Sequence, residues 1–132
     1  MKLVADTNIF LAVVLNEPER EIIIEMTAEA ELVAPSVLPF EIGNALSSLY
    51  RRGLLSRQQV LQAWKFSQQI PVALQQVQFA QALEIAMNFR IFAYDAYFLA
   101  CALTLHAPLM SMDKKMLSVA KELAIPVIEA SR

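Results

Sequence analysis

The sequence predicts an α/β fold, a parallel sheet covered by helices on both faces, and three observations predict it. Short apolar runs of strand type alternate with longer segments whose apolar residues recur at helical spacing, the pattern of successive β-α-β units. The first run, Lys2-Leu3-Val4-Ala5, ends in Asp6-Thr7-Asn8 before the apolar Ile9-Phe10-Leu11. A carboxylate therefore stands where a strand hands over to a helix, and open α/β sheets bind their ligands at that end. Finally, the 132 residues include only two glycines, Gly43 and Gly53, too few for a glycine-rich phosphate loop or a dinucleotide fingerprint.

Each element follows from local pattern. After the first strand, Ile9 to Asn16 reads as a short helix, and Pro18 suits the first turn of another running from Glu19 to about Glu29. Its inward stripe is Ile22, Ile23 and Met26. Leu32-Val33-Ala34, stopped by Pro35, is a second strand, and Ser36 is placed to cap a helix that continues to about Arg52 and closes at Gly53. On that helix Val37, Glu41, Ala45 and Leu49 share a face, so Glu41 has apolar neighbours. Ser56 caps the next helix, Arg57 to about Gln69, with Val60, Leu61, Trp64 and Phe66 inward. Pro71 to Leu74 is a weak strand. Gln78 to Arg90 is amphipathic, with Phe79, Ala82, Leu83, Ala86 and Met87 on its apolar side. Asp95 to about His106 is apolar nearly all round, as in a helix buried on several faces. Leu109 to Met112 forms a strand ending at Asp113, Lys114 to Leu123 the last long helix, and Pro126-Val127-Ile128 a fifth strand. No repeat or linker divides the chain, so residues 1–132 read as one domain.

Composition narrows the class. Hydrophobic residues make up 57% of the chain, above the usual ~45–50%, which points to a large core or a surface made for a partner. The most apolar stretch, Ala96 to Met112, is interrupted by Thr104, His106 and Pro108 and falls short of the ~20 residues of a membrane span. The chain enters a strand pattern after one lysine, without the form of a secretory or transit segment. The single cysteine, Cys101, has no partner for an internal disulfide. A soluble cytoplasmic protein is expected. A net charge of −2 gives no global attraction for nucleic acid, so a polyanion must be met through a local patch or a bound cation.

The acids are unevenly spread. Aspartate occurs three times, as Asp6, Asp95 and Asp113, each at a junction with a predicted helix. Glu41 is the only acid between Glu31 and Glu84, and Asp95 the only formal charge between Arg90 and Asp113. An aspartate before a helix is often no more than an N-cap, and Asp95 and Asp113 both admit that reading. Glu41, inside a helix on a mostly apolar face, does not. Asp6 and Asp113 belong at the ends of neighbouring strands, and several acids at one point repel one another unless cations lie between them. Carboxylate-only ligation suits Mg²⁺ or Mn²⁺.

Asp6-Thr7-Asn8, Glu41 within Pro39-Phe40-Glu41-Ile42-Gly43-Asn44-Ala45-Leu46, Asp95 within Tyr94-Asp95-Ala96-Tyr97-Phe98-Leu99-Ala100, and Ser111-Met112-Asp113 together resemble the PIN-domain nucleases, most closely the VapC-type toxins of bacterial toxin–antitoxin pairs. The resemblance spans essentially the whole chain. It implies a three-layer α/β/α sandwich, Mg²⁺ or Mn²⁺ at Asp6, Glu41, Asp95 and Asp113, and endonucleolytic cleavage of RNA, with Asn8 and Ser111 supporting the acids or the attacking water. Where some relatives carry a further acid, Lys114 and Lys115 follow Asp113 here. The resemblance also implies a homodimer and a small antitoxin that lays an amphipathic helix in an apolar groove.

What the chain lacks supports the same chemistry. A single histidine, His106, excludes a paired-histidine ribonuclease, and Cys101 in an apolar helix reads as core. Water activated by a metal is then the economical route. Arg51, Arg52 and Arg57, with Lys114 and Lys115, are the candidates for a local RNA-binding patch, and Tyr50 reads as an aromatic at the edge of the core. A phosphoaspartate enzyme also carries acids at strand ends. One such pattern needs a second aspartate where Asn8 stands, however, and another an acidic pair at the first strand. A non-catalytic scaffold of the same fold, binding RNA or a protein partner, is the alternative.

Overall fold

The computed structural model of the protein describes residues 1–130. The described residues form five strands and seven helices: β1 (Lys2–Ala5), α1 (Thr7–Val14), α2 (Arg20–Thr27), β2 (Glu31–Pro35), α3 (Leu38–Arg51), α4 (Arg57–Ser67), β3 (Ala73–Gln75), α5 (Phe79–Phe89), α6 (Ala93–Leu105), β4 (Leu109–Ser111), α7 (Lys114–Glu122) and β5 (Val127–Glu129). The strands lie in the order β3-β2-β1-β4-β5, and every neighbouring pair is parallel. This is the expected α/β class, a three-layer α/β/α sandwich.

Strand order and handedness together place the helices. Parallel crossovers are right-handed. The path β1 to β2 to β3 moves one way across the sheet and puts α1–α4 on one face. The return from β3 to β4 and on to β5 reverses direction and puts α5–α7 on the other. The packing agrees, with α1 against α2, α3 and α4, and α5 against α6, which crosses β1, β2 and β4. Reversal occurs between β1 and β4, the switch point at which such sheets carry their sites. Central β1 is covered on both faces, with Leu3, Val4 and Ala5 wholly buried, and it is in register with Val33 and Leu109 through Val4.

α6 is the buried helix its composition predicts. Ala96, Phe98, Leu99, Ala100, Cys101 and Ala102 are all inaccessible or nearly so, and the small residues let it lie close on the sheet. His106 ends α6 in the left-handed conformation, φ 50°. Gly53, φ 73°, follows the end of α3 as expected, and Ser56 with Gln59 forms a full capping box on α4. Among the described residues no helix is long and apolar enough to cross a membrane.

Several local expectations differ. α1 begins at Thr7 because Asp6 takes the capping position. α2 starts only at Arg20, leaving Pro18 in the preceding turn. Ser36 does not cap α3: its N–H donates to the Gln75 carbonyl of β3 at 2.7 Å, which carries the β2–β3 ladder one residue past Pro35, and the helix starts later, from Val37, with Pro39 in its first turn, where no backbone donor is needed. Asp95 caps nothing, since α6 starts two residues earlier at Ala93.

The phases of three helices also depart from expectation. α4 buries Ala63 and Ser67, with Val60 and Trp64 packed beside them, while Leu61 and Phe66 face solvent. α5 buries Ala82 and Ile85 and exposes Phe79, Leu83 and Met87. On α2, Ile23 is inward and Met26 outward. With large apolar residues on several sides of a helix, periodicity alone cannot select the side that faces the sheet. Close packing selects the alanines.

Candidate active site

β1 ends at Asp6, and β4 ends at Ser111 beside it. The Asp6 N–H donates to the Met110 carbonyl at 3.0 Å, continuing the β1–β4 ladder one residue beyond the strand. Its side chain is only 6% exposed and accepts from the Thr7 N–H at 2.8 Å and the Ser111 hydroxyl at 2.8 Å, with a longer approach from the Asn8 amide at 3.4 Å. These take three of the roughly four acceptor sites of a carboxylate, leaving room for one further partner.

Ser111 is fully buried and saturated. Its hydroxyl donates to Asp6 and accepts from the Asn8 amide at 3.3 Å and the Asp113 N–H at 3.0 Å, the full capacity of a hydroxyl. Asn8 completes the link by accepting from the Met112 N–H at 3.3 Å. Asp6, Asn8 and Ser111 therefore form one network across the switch point.

The other acids reach this point from both helical layers. Glu41, in the first turn of α3, is half-buried and accepts a short hydrogen bond from the Thr7 hydroxyl. Sequence pattern does not single out Thr7: its reach to Glu41, 34 residues away, depends on how α3 docks against α1. Asp95 comes from the opposite layer, in the first turn of α6. Asp113 is exposed and caps α7, accepting through Oδ1 from the N–H groups of Lys115 at 2.9 Å and Met116 at 3.3 Å.

The four acids feel one another. Burial pushes the Asp6 carboxyl up to about 7 against the opposing hydrogen bonds from Ser111 and Thr7, and the charges of Asp95 and Glu41 add to the rise. Glu41 is raised by burial and by Asp95, with Thr7 opposing. Asp95 is raised by burial and by Asp113, with Lys115 opposing. Among the described residues no three of these groups are packed as a ready-made cation cage. The donor set is nevertheless oxygen-only and fits a hard divalent ion, above all Mg²⁺, which is held by one or two carboxylates and keeps several waters.

The basic candidates divide. Lys114 and Lys115 are exposed at the start of α7, beside Asp113. Arg51, Arg52 and Arg57 are elsewhere: ten residues along α3 from Glu41, Arg51 is about 15 Å away along the axis, where it donates to Ser47 Oγ at 3.4 Å. Arg57 lies over the Tyr50 ring, 5.5 Å from its centre. Cys101 is buried and its thiol is pushed up by burial to about 11, which makes it inert. Next to Glu41 a cleft of about 330 Å³ is lined by Thr7, Phe40, Glu41, Asn44, Ala45 and Tyr94.

Comparison with known proteins gives a consistent answer. A family model described as the PIN domain matches residues 3–122. Among solved structures the chain is similar to PAE2754 from Pyrobaculum aerophilum, with a TM-score of 0.75 and 18% identity over 98% of this chain and 92% of that one. It is similar to VapBC-1 from nontypeable Haemophilus influenzae, with a TM-score of 0.69 and 19% identity over 100% of both chains. It is also similar to VapBC2 from Rickettsia felis, solved bound to a DNA fragment from their promoter, with a TM-score of 0.69 and 13% identity over 99% of this chain and 100% of that one. No curated protein sequence matches.

Proposed function

The chain belongs to the PIN-domain family, and from that premise we propose that it is a metal-dependent endoribonuclease, the toxin of a toxin–antitoxin pair, built as a single PIN domain over residues 1–132. One observation carries the reading: Asp6 is held at the β1–β4 switch point by Ser111 and Asn8, with Glu41 and Asp95 close enough to raise its pKa.

In this reading Asp6, Glu41, Asp95 and Asp113 hold Mg²⁺ or Mn²⁺, which when bound lowers the pKa of water and neutralises charge on a phosphate. The chain's own residues do the positioning. Ser111 and Asn8 fix the rotamer of Asp6, Thr7 fixes Glu41, and the caps on α1 and α7 keep Asp6 and Asp113 at their helix starts. With Cys101 buried and His106 exposed at the far end of α6, water is the nucleophile. Lys114 and Lys115 attract the RNA backbone.

The solved neighbours named VapBC support an antitoxin partner. We place its helix on two adjoining grooves, about 510 and 470 Å³, which meet at Phe66 and Gln69 and run from Val13 and Val14 on α1 along α4 to Leu61. Self-association uses the outward stripe Phe79, Leu83 and Met87 of α5, spaced by four residues.

The test is cleavage of a labelled RNA panel with Mg²⁺, Mn²⁺ or EDTA, by the wild type and by Asp6→Asn. Cleavage that needs the metal and is lost in the variant is the expected result. A folded protein that cuts nothing with either metal returns the scaffold reading, and an Asp6→Asn variant as fast as wild type moves the site elsewhere.

A further inference from the structure

We propose that the cleft beside Glu41 is a subsite for one unpaired nucleobase of the RNA, walled by Phe40 and Tyr94 and read by the side-chain amide of Asn44, an inference that rests on the ribonuclease reading. Phe40 is 77% exposed and Tyr94 56%, and both line the cleft. Each ring immediately precedes an acid of the site, Phe40 before Glu41 and Tyr94 before Asp95, so anything held between them lies next to the reacting phosphate.

The Tyr94 ring is buttressed. It meets Tyr97 edge to face at 5.8 Å, and Tyr97 meets Phe79 in the same way at 5.5 Å. A ring held like this offers its surface at little entropic cost.

The lining chooses the ligand. It has no lysine or arginine, and its one charged residue is Glu41, so it repels a phosphate and suits the uncharged part of a nucleotide. Thr7 and Asn44 make it too polar for an apolar protein side chain. Its volume of about 330 Å³ is at the small end of the ~300–1,000 Å³ typical of small-molecule sites. The Asn44 amide both donates and accepts, as recognition of a base edge requires. Paired bases hide their faces inside the helix, so the subsite selects single-stranded RNA.

The test measures binding of short fluorescein-labelled single-stranded RNAs of mixed sequence, and of the same strands annealed to their complements, by the full-length protein with Ca²⁺ replacing Mg²⁺ to restrain turnover. Phe40→Ala and Tyr94→Ala are each expected to weaken single-strand binding roughly 5- to 100-fold. Tyr94→Phe should restore it, and Ile24→Ala at an exposed position of α2 should leave it unchanged. With the four homopolymeric single strands added as probes, Asn44→Ala is expected to level affinities that differ in the wild type. Melting curves confirm that each variant is folded. Cleavage by the wild type in Mg²⁺, combined with ring-less variants that bind single strands as tightly as wild type, overturns the subsite and leaves the ribonuclease standing. Ring-dependent binding without cleavage in any metal keeps the subsite and removes the ribonuclease. Equal losses on single and double strands, or a wild type that binds no single strand, also overturn the subsite.

Discussion

At the scale of single residues, the pairing of Asp6 with Ser111 has consequences that can be measured. Ser111→Ala removes the donor to Asp6 and leaves the Asn8 amide and the Asp113 N–H without their acceptor. A loss of about 10- to 100-fold in cleavage is expected, the usual effect of removing a group that orients a metal ligand, together with a lower melting temperature. Asp6 also sets a pH dependence in metal-free protein. Its carboxyl titrates near 7 in the folded state against 3.8 in a model peptide, so between those values the folded protein keeps a proton that the unfolded chain has released. Stability therefore falls as pH rises from about 4 to about 7 and stays low above, by up to about 4 kcal/mol. Asp6→Asn should flatten that fall in denaturant titrations run in EDTA; a variant with an undiminished slope would falsify this account of the burial. The acids are legible in the sequence because isolated carboxylates in apolar surroundings need a reason to be there. Thr7 is not, since a hydroxyl beside a helix start is ordinary until the partner that docks against it is known.

At the scale of elements, the alternation of strand and helix is readable throughout, and each strand edge moves by no more than two residues. What pattern cannot supply is helix phase. On α5 the large residues Phe79, Leu83 and Met87 outrank Ala82 in hydrophobicity, yet Ala82 faces inward, because close approach to α6 rewards a small side chain. The outward stripe gives an expected outcome: Leu83→Glu should convert a dimer to a monomer in sedimentation without lowering the melting temperature of the monomer, its site being half exposed already. α7 offers another. Lys114 and Lys115 sit at its positive end, an arrangement that costs about 0.3–1 kcal/mol per charge. Replacing both by alanine should leave the protein as stable or more so, while the slope of RNA affinity against salt falls by about one for each phosphate no longer neutralised. An unchanged slope would take these lysines out of the binding surface.

At the scale of the whole molecule, the chain gathers its acids from both helical layers onto the end of the sheet and leaves the groove of α1 and α4 away from them. Separate surfaces allow separate losses. Phe66→Glu should abolish capture of the antitoxin in a pull-down while cleavage of RNA persists. Neutralising Arg51, Arg52 and Arg57 tests whether RNA extends the further 15 Å or so along α3: the salt slope drops if it does and holds if it stops at the acids. That division is invisible in the sequence, where the five basic residues form one candidate patch. The distance spanned by the Asp6–Ser111 bond has a further meaning. The two residues are 105 positions apart, and β1 keeps its β4-facing edge open until the last quarter of the chain arrives. A polypeptide still emerging from the ribosome thus carries Asp6, Glu41 and Asp95 without the strand that locks the first of them in place. Under the proposed ribonuclease reading, the order of synthesis keeps a nascent chain without its assembled acid site until β4 and Ser111 have been made.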